Sequence, residues 1–126
     1  MNKNNSTFSH DLHFGIGGEN LLKGIINGDF KCEVKRDRKL SYTGNLAIEV
    51  EYKGKPSGLA KTEAEWYAFV CSGSEYKDEL IIFISTERLK KLCDDYENHG
   101  GRVVYGGDYN ASKLILLPLE KILDKI

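Results

Sequence analysis

The chain has no excess of charge of either sign: 18 Lys and Arg stand against 19 Asp and Glu, for a formal net charge of -1. That balance argues against a strongly basic nucleic-acid binder and restricts any contact with DNA to a local patch. Cysteines are few. Cys32, Cys71 and Cys93 are odd in number, form no Cys-x-x-Cys pair and lie in apolar runs or a helical pattern. They read as small buried hydrophobes of a reducing compartment rather than as a disulfide framework or a zinc site. No apolar run reaches membrane-spanning length, and the polar residues 1–7 carry no signal-peptide core, so the expected location is the cytoplasm. Internal repeats, low-complexity segments and linkers are missing as well. With 126 residues, 40% of them hydrophobic and 29% charged, the chain is expected to form one domain over residues 1–126 with a real core. Residues 1–8 are expected to be disordered.

What is present is a stretch of alternating character between residues 29 and 53. In its first arm Phe30, Cys32 and Val34 occupy even positions while Asp29, Lys31, Glu33, Lys35 and Asp37 occupy odd ones. In its second arm Leu46, Ile48, Val50 and Tyr52 are even and Glu49, Glu51 and Lys53 odd. A period of two predicts strands with one dry and one wet face. The polar connection ending at Gly44 predicts an antiparallel hairpin in which the odd residues share a face. Carboxylates gathered there repel one another unless a cation stands among them, and Lys35 alone does not balance Glu33, Asp37, Glu49 and Asp29. A hard divalent ion, Mg²⁺ or Mn²⁺, would. A solvated ribbon laced with ion pairs is the alternative.

The remaining pattern predicts a helix from about Glu19 carrying Leu21, Leu22, Ile25 and Ile26 and stopping at Asn27-Gly28. Gly15, Gly17 and Gly18 lack a preceding strand and the full dinucleotide fingerprint, and read as a flexible lead-in to that helix. His10, Asp11 and His13, close to the terminus, read as incidental. After a turn at residues 54–58 come a short helical segment, strands at residues 66–71 and 80–84 that pair, and a helix from about Glu87 to Asn98 capped by Ser85 or Thr86. Two further strands, at residues 102–105 and 113–117, and a last helix begun by Pro118 complete the order.

A helix bearing a glutamate, then strands carrying Asp and Glu-x-Lys, then a mixed sheet with a flanking helix resembles the PD-(D/E)XK nuclease superfamily, which includes Holliday junction resolvases. Glu33-Val-Lys-Arg-Asp37, Thr43-Gly-Asn45, Ile48-Glu49, Gly54-Lys-Pro-Ser-Gly58 and Gly106-Gly-Asp108 are similar to a group of small, mostly phage-encoded members, along nearly the whole chain. The resemblance implies an α/β fold, a restriction-endonuclease-like mixed β-sheet flanked by helices in a single domain. It implies a Mg²⁺-dependent endonuclease, with Mn²⁺ as a substitute, that hydrolyses phosphodiesters of branched or recombination-intermediate DNA. A homodimer follows from the two symmetric cuts that a four-way junction needs, and the host cytoplasm from the phage-encoded relatives.

Carried over by position, the resemblance makes Glu33 a metal ligand and Lys35 the group that steadies the attacking water or the scissile phosphate. Glu33, Lys35, Asp37 and Glu49 form the catalytic set, and Glu33, Asp37, Glu49, Asp29 and Glu19 the metal ligands. The leading aspartate is either Asp29 or Asp37. In one registration Asp37 leads and Glu49-Val-Glu51 is the second motif, Glu51 standing where a lysine is expected. Arg36, Arg38, Asn45, Lys55, Ser57 and Lys61, with Lys31, Lys39, Lys53 and Gly58, flank the acids as backbone contacts to DNA, or else form a solvated surface. Tyr42 stacks on a base or packs on its neighbours. A non-catalytic DNA- or protein-binding module on the same fold is the alternative, and a small αβ interaction domain with a solubilising charged edge a further one.

Overall fold

The computed structural model describes residues 3–37, 40–72 and 77–124. It is an α/β fold built on one core. Helix α1 (Lys3–Ile26) leads to β1 (Cys32–Arg36), a single-turn helix α2 (Leu40–Thr43), β2 (Asn45–Tyr52) and β3 (Lys55–Pro56). A 3₁₀ turn at Gly58–Ala60 precedes β4 (Trp66–Ser72), β5 (Asp78–Ser85), α3 (Thr86–Asn98), β6 (Val103–Gly106) and β7 (Ser112–Pro118), with a closing 3₁₀ segment at Leu119–Leu123. The mixed sheet has the order β1-β4-β5, with β1 parallel to β4 and β4 antiparallel to β5. Beside it stands an antiparallel sheet of order β3-β2-β7-β6.

The hairpin expected of residues 29–53 does not form. Its first arm, β1, pairs with β4 in the register Glu33↔Tyr67 and Lys35↔Phe69, while its second, β2, pairs with β7 in the other sheet. Side chains of paired residues share a face, so Glu33 and Lys35 stand on the side of the mixed sheet that carries buried Tyr67, Phe69 and Cys71. The sense of the alternation in β1 is therefore opposite to the one the sequence suggests: Val34 is 63% exposed. Strand pairing overrides local hydrophobicity because β4 brings three large core residues whose face cannot be turned outward. In the first half of β2 the reading is correct, with Leu46 and Ile48 buried against Leu117 and Ile115 of β7, but after the register shift Tyr52, expected on the dry face, is 45% exposed.

Leu46, Ile48, Ile115 and Leu117 from one sheet meet Tyr67, Phe69, Cys71 and Ile84 from the other, with Leu89 and Cys93 of α3 closing the cluster. Helix α3 begins as predicted: the Ser85 side chain accepts a hydrogen bond from the Arg88 N–H at 3.1 Å, and Glu87 lies in the first turn. Leu40 of α2, in a connection that reads as wholly polar, is buried in the same core. Segment 59–65 forms only the short 3₁₀ turn, and the last predicted helix is likewise 3₁₀.

Helix α1 is much longer than the sequence predicts. It begins at Lys3 and takes in the glycines and the His10, Asp11 and His13 cluster, where His13 Nδ1 lies 2.8 Å from the Ser9 carbonyl. It ends at the predicted stop: Gly28 has φ +81°, and the Asp29 N–H donates to the Gly24 carbonyl at 2.9 Å.

The three cysteines are free thiols, Cys71 and Cys93 buried and Cys32 half-buried. Burial pushes the Cys93 thiol up to about 12, with Asp94 and Glu97 adding to the effect. The native state thus holds this proton at pH values where the unfolded chain, with a thiol near 9.0, has lost it, so stability must fall as pH rises through the interval between the two. In denaturant titrations the loss of stability between about pH 9 and 11 should be smaller in Cys93→Ala than in the wild type. Thiol titration of native protein should consume Cys32 first and leave Cys93 unreacted.

Candidate active site

Two unpaired strand edges border the hollow in which the charged residues meet. Among the described residues, strand β1 is the outermost strand of the mixed sheet, and β3 pairs with β2 at Glu51 and Tyr52, leaving residues 45–49 of β2 without a strand partner on that side. Between these edges lies a cavity of about 440 Å³ lined by Lys35, Asp37, Leu40, Leu46, Ala47 and Phe69. A smaller one of about 130 Å³ adjoins it, lined by Lys35, Ala47, Glu49, Gly58, Leu59 and Tyr67. Lys35 and Ala47 belong to both. The arms that were expected to pair thus run beside each other across a gap, and the gap is where the chemistry-bearing side chains stand.

Lys35 Nζ lies 3.1 Å from Glu33 Oε1, and both side chains are about half exposed, at the rim. Such a pair contributes only about 0–1 kcal/mol to stability, so the ammonium is available to a stronger anionic partner at small cost. Tyr67 forms the floor. Burial pushes its phenol up; a side-chain hydrogen bond with Thr62 opposes this, the Glu33 charge reinforces it and Lys35 counters it. The phenol therefore stays neutral beside the ion pair.

Glu49 is positioned by the turn at residues 54–58. The Ser57 hydroxyl donates to Glu49 Oε2 at 3.1 Å, and the Ser57 N–H donates to the Val50 carbonyl at 3.0 Å. This approach needs glycine at position 58: its φ is +52°, and a Cβ there would lie 2.3 Å from the Glu49 carbonyl oxygen. Buried Leu59 anchors the turn in the core. A β-bulge at Val50 shifts the register between Glu49 and Glu51 and separates the two acids. Glu51 lines a different hollow with Lys113 and Glu97. There the Glu97 hydrogen bond, 3.0 Å long, is the main cause holding the Lys113 ammonium above its ordinary value, with Glu51 contributing.

The structure thus places Lys35 with Asp37 at one hollow and with Glu49 at the adjoining one, pairs it with Glu33 at the rim, and leaves other sequence-derived positions elsewhere. Asp29 precedes β1 rather than lying on it, and is exposed. Glu19 lies on an exposed part of α1. Among the described residues no group of three His, Cys, Asp or Glu side chains is placed to hold a metal ion between them. The donor set fits a different kind of site. Mg²⁺ is commonly held by one or two carboxylates, its remaining positions filled by water and substrate phosphate, and Glu33, Asp37 and Glu49 supply carboxylates of that kind.

Of the basic residues, Arg36 is engaged with Asp78 at 2.9 Å and Ser72 at 3.1 Å, and Lys31 with Glu63 at 3.3 Å. Lys53 lies over the Tyr52 ring, 5.4 Å from its centroid. Lys55 and Lys61 are exposed, Asn45 is half-buried at the start of β2, and Tyr42 is exposed on α2. Arg38 and Lys39 lie outside the described residues. Ser57, expected as a DNA contact, instead holds Glu49. Sequence reasoning misses Tyr67 altogether, because nothing in the apolar run of residues 66–71 distinguishes the one residue that lies opposite Glu33.

Gly58→Ala should destabilise the protein more than Gly44→Ala in chemical denaturation. Gly44 also has a positive φ, +69°, but nothing stands within 4 Å of its would-be Cβ, so only the backbone penalty of about 1–2 kcal/mol applies there. Comparison with known proteins returned no matching family model, curated protein or solved structure for this chain.

Proposed function

We propose that this chain is a Mg²⁺-dependent endodeoxyribonuclease that hydrolyses phosphodiester bonds, acting as a homodimer on branched or recombination-intermediate DNA. The observation that carries the reading is the place of Lys35, which is paired with Glu33 and lines both the hollow bordered by Asp37 and the one bordered by Glu49. A phosphodiester is protected by its own negative charge, so its hydrolysis requires positive charge at the non-bridging oxygens and a means of generating hydroxide. Mg²⁺ supplies both when bound, lowering the pKa of a coordinated water and stabilising the leaving oxygen. One or two of Glu49, Asp37 and Glu33 would hold it, the rest of its positions being left to water and phosphate.

The chain's own residues have distinct tasks in this scheme. Lys35 releases Glu33 in favour of the scissile phosphate, whose charge is greater, and keeps that phosphate at the rim of the hollow. Ser57 fixes one oxygen of Glu49, so that the carboxylate does not turn away when the phosphate approaches. Tyr67 and Leu59 form a dry floor that strengthens the electrostatics above it. The open edges of β1 and β2 leave room for a DNA backbone between the sheets, and no exposed helix reads as a base-reading element. That favours recognition of DNA shape over sequence.

A binding module without catalysis is the second reading, and the lack of a three-carboxylate group among the described residues favours it. Incubation of labelled four-way junction and plain duplex DNA with Mg²⁺ separates the two. On the nuclease reading the junction is nicked, Lys35→Ala and Glu33→Gln each reduce the rate by about 100-fold or more, and Ser57→Ala reduces it by about 10- to 100-fold. Binding that persists with no Mg²⁺-dependent cutting, or cutting that survives both Lys35→Ala and Glu33→Gln, would rule the nuclease site out.

A further inference from the structure

Two apolar surfaces of this chain lack a partner, and they match each other. The first is on α1. Every residue from 7 to 23 is exposed, and only Gly24 and Ile25 are buried. Phe14, Gly18, Leu21 and Leu22 are spaced at i, i+4, i+7 and i+8, which places them on one exposed stripe of the helix, continued at i+11 by the buried Ile25. Phe14 is 87% exposed, and nothing stands within 4 Å of a Cβ built on Gly18. A helix interrupted by Gly15, Gly17 and Gly18 has little intrinsic stability and depends on packing to persist.

The second surface is the outer face of the mixed sheet. Val34, Ala68 and Phe83 stand in one row across β1, β4 and β5. Ala68 is buried between larger neighbours, while Val34, Phe83 and Ile81 are exposed. The result is a trough with a small-residue floor, its walls about 10 Å apart across three strands, which is the width of a helix. The exposed stripe from Phe14 to Leu22 is about 12 Å long, and four residues of strand measure about the same.

We infer that two copies of this chain associate by reciprocal docking of α1 of each onto the outer face of the β1-β4-β5 sheet of the other. Docking onto the same chain's own sheet is opposed by the way α1 is tethered. The Phe30 ring packs on Gly24, where a Cβ would come within 2.7 Å of it, and the Asn27 N–H donates to the Lys23 carbonyl at 2.8 Å. Together with the left-handed Gly28, these contacts hold the C-terminal end of the helix, with Gly24 and Ile25 buried, while Phe14, Gly18, Leu21 and Leu22 stay exposed. Taking roughly 150–200 Å² for a full side chain of this size, the exposed apolar residues of stripe and trough amount to about 500–650 Å² per copy, so that two contacts bury about 1,000–1,300 Å². Two symmetric contacts then reach the lower end of the 1,200–2,000 Å² typical of a stable interface, whereas an apolar patch of this extent is unusual on a monomer. The inference names the surface by which the proposed dimer forms, and its test does not involve DNA or metal, so its outcome is independent of the nuclease reading.

The test is the mass of the full chain in solution by light scattering, for the wild type, for Leu22→Arg, for Phe83→Glu and for an equimolar mixture of the two variants. The wild type should have the mass of two chains and each variant that of one. The mixture should recover the mass of two, because one of its two contacts pairs an intact helix with an intact sheet and the other pairs opposite charges. Phe14→Arg and Val34→Glu, at more exposed positions, form a second pair that carries the same test if either first variant loses its far-ultraviolet dichroism. A wild-type mass other than two chains, a variant that remains a dimer, or a mixture that stays monomeric would overturn the inference.

Discussion

The parallel pairing of β1 with β4 is the constraint on which the candidate site rests. It sets Glu33 opposite Tyr67 and Lys35 opposite Phe69, and so directs two charged side chains to the side of the sheet that also faces the core. In the middle of a sheet this would bury an ion pair at a cost of several kcal/mol per ion. It is tolerated because β1 is an edge strand, and its charged ends reach the rim of the gap toward β2. The same edge position leaves the gap open. An antiparallel hairpin of β1 and β2 would have filled it with ladder hydrogen bonds.

The second support is the turn that follows β2. Gly58 lies against the backbone of Glu49 with no room for a side chain, and the Ser57 hydroxyl meets the Glu49 carboxylate as a consequence of that approach. The bulge at Val50 frees a carbonyl for the Ser57 N–H and turns Glu51 toward Lys113 and Glu97. Two acids separated by a single residue therefore enter different electrostatic environments. Placement of Glu49 is a property of the strand, the bulge and the turn together, and Lys35 reaches the same hollow from the other sheet.

Helix α1 stands apart from this arrangement. Its long exposed stretch contributes little to the core, its glycines weaken it as a free-standing helix, and its apolar stripe matches in width the outer face of the mixed sheet, where Val34, Ile81 and Phe83 are exposed. The exposed part of α1 is thus separate from the core and is joined to it at Gly24, Phe30 and Gly28.

Sequence alone determined the elements whose signals are local. Ser85 at the start of α3, Asn27-Gly28 at the end of α1, the apolar runs of β4, β5 and β7 and the dry face of the first half of β2 were all legible, because caps, left-handed stops and periodicity act within a few residues. That Lys35 has acids for neighbours was also legible, and the structure pairs it with Glu33 and lines the adjoining hollows with Asp37 and Glu49. Strand partners were not, since alternation states which side chains share a face but not which strand lies alongside. Only the tertiary structure decided that β1 joins β4, that Tyr67 lies opposite Glu33, that Ser57 serves Glu49 and that Glu19 and Asp29 remain on the surface. Each of these depends on contacts between residues far apart in the chain, where the burial of Tyr67, Phe69 and Cys71 outweighs the local preference of a five-residue strand.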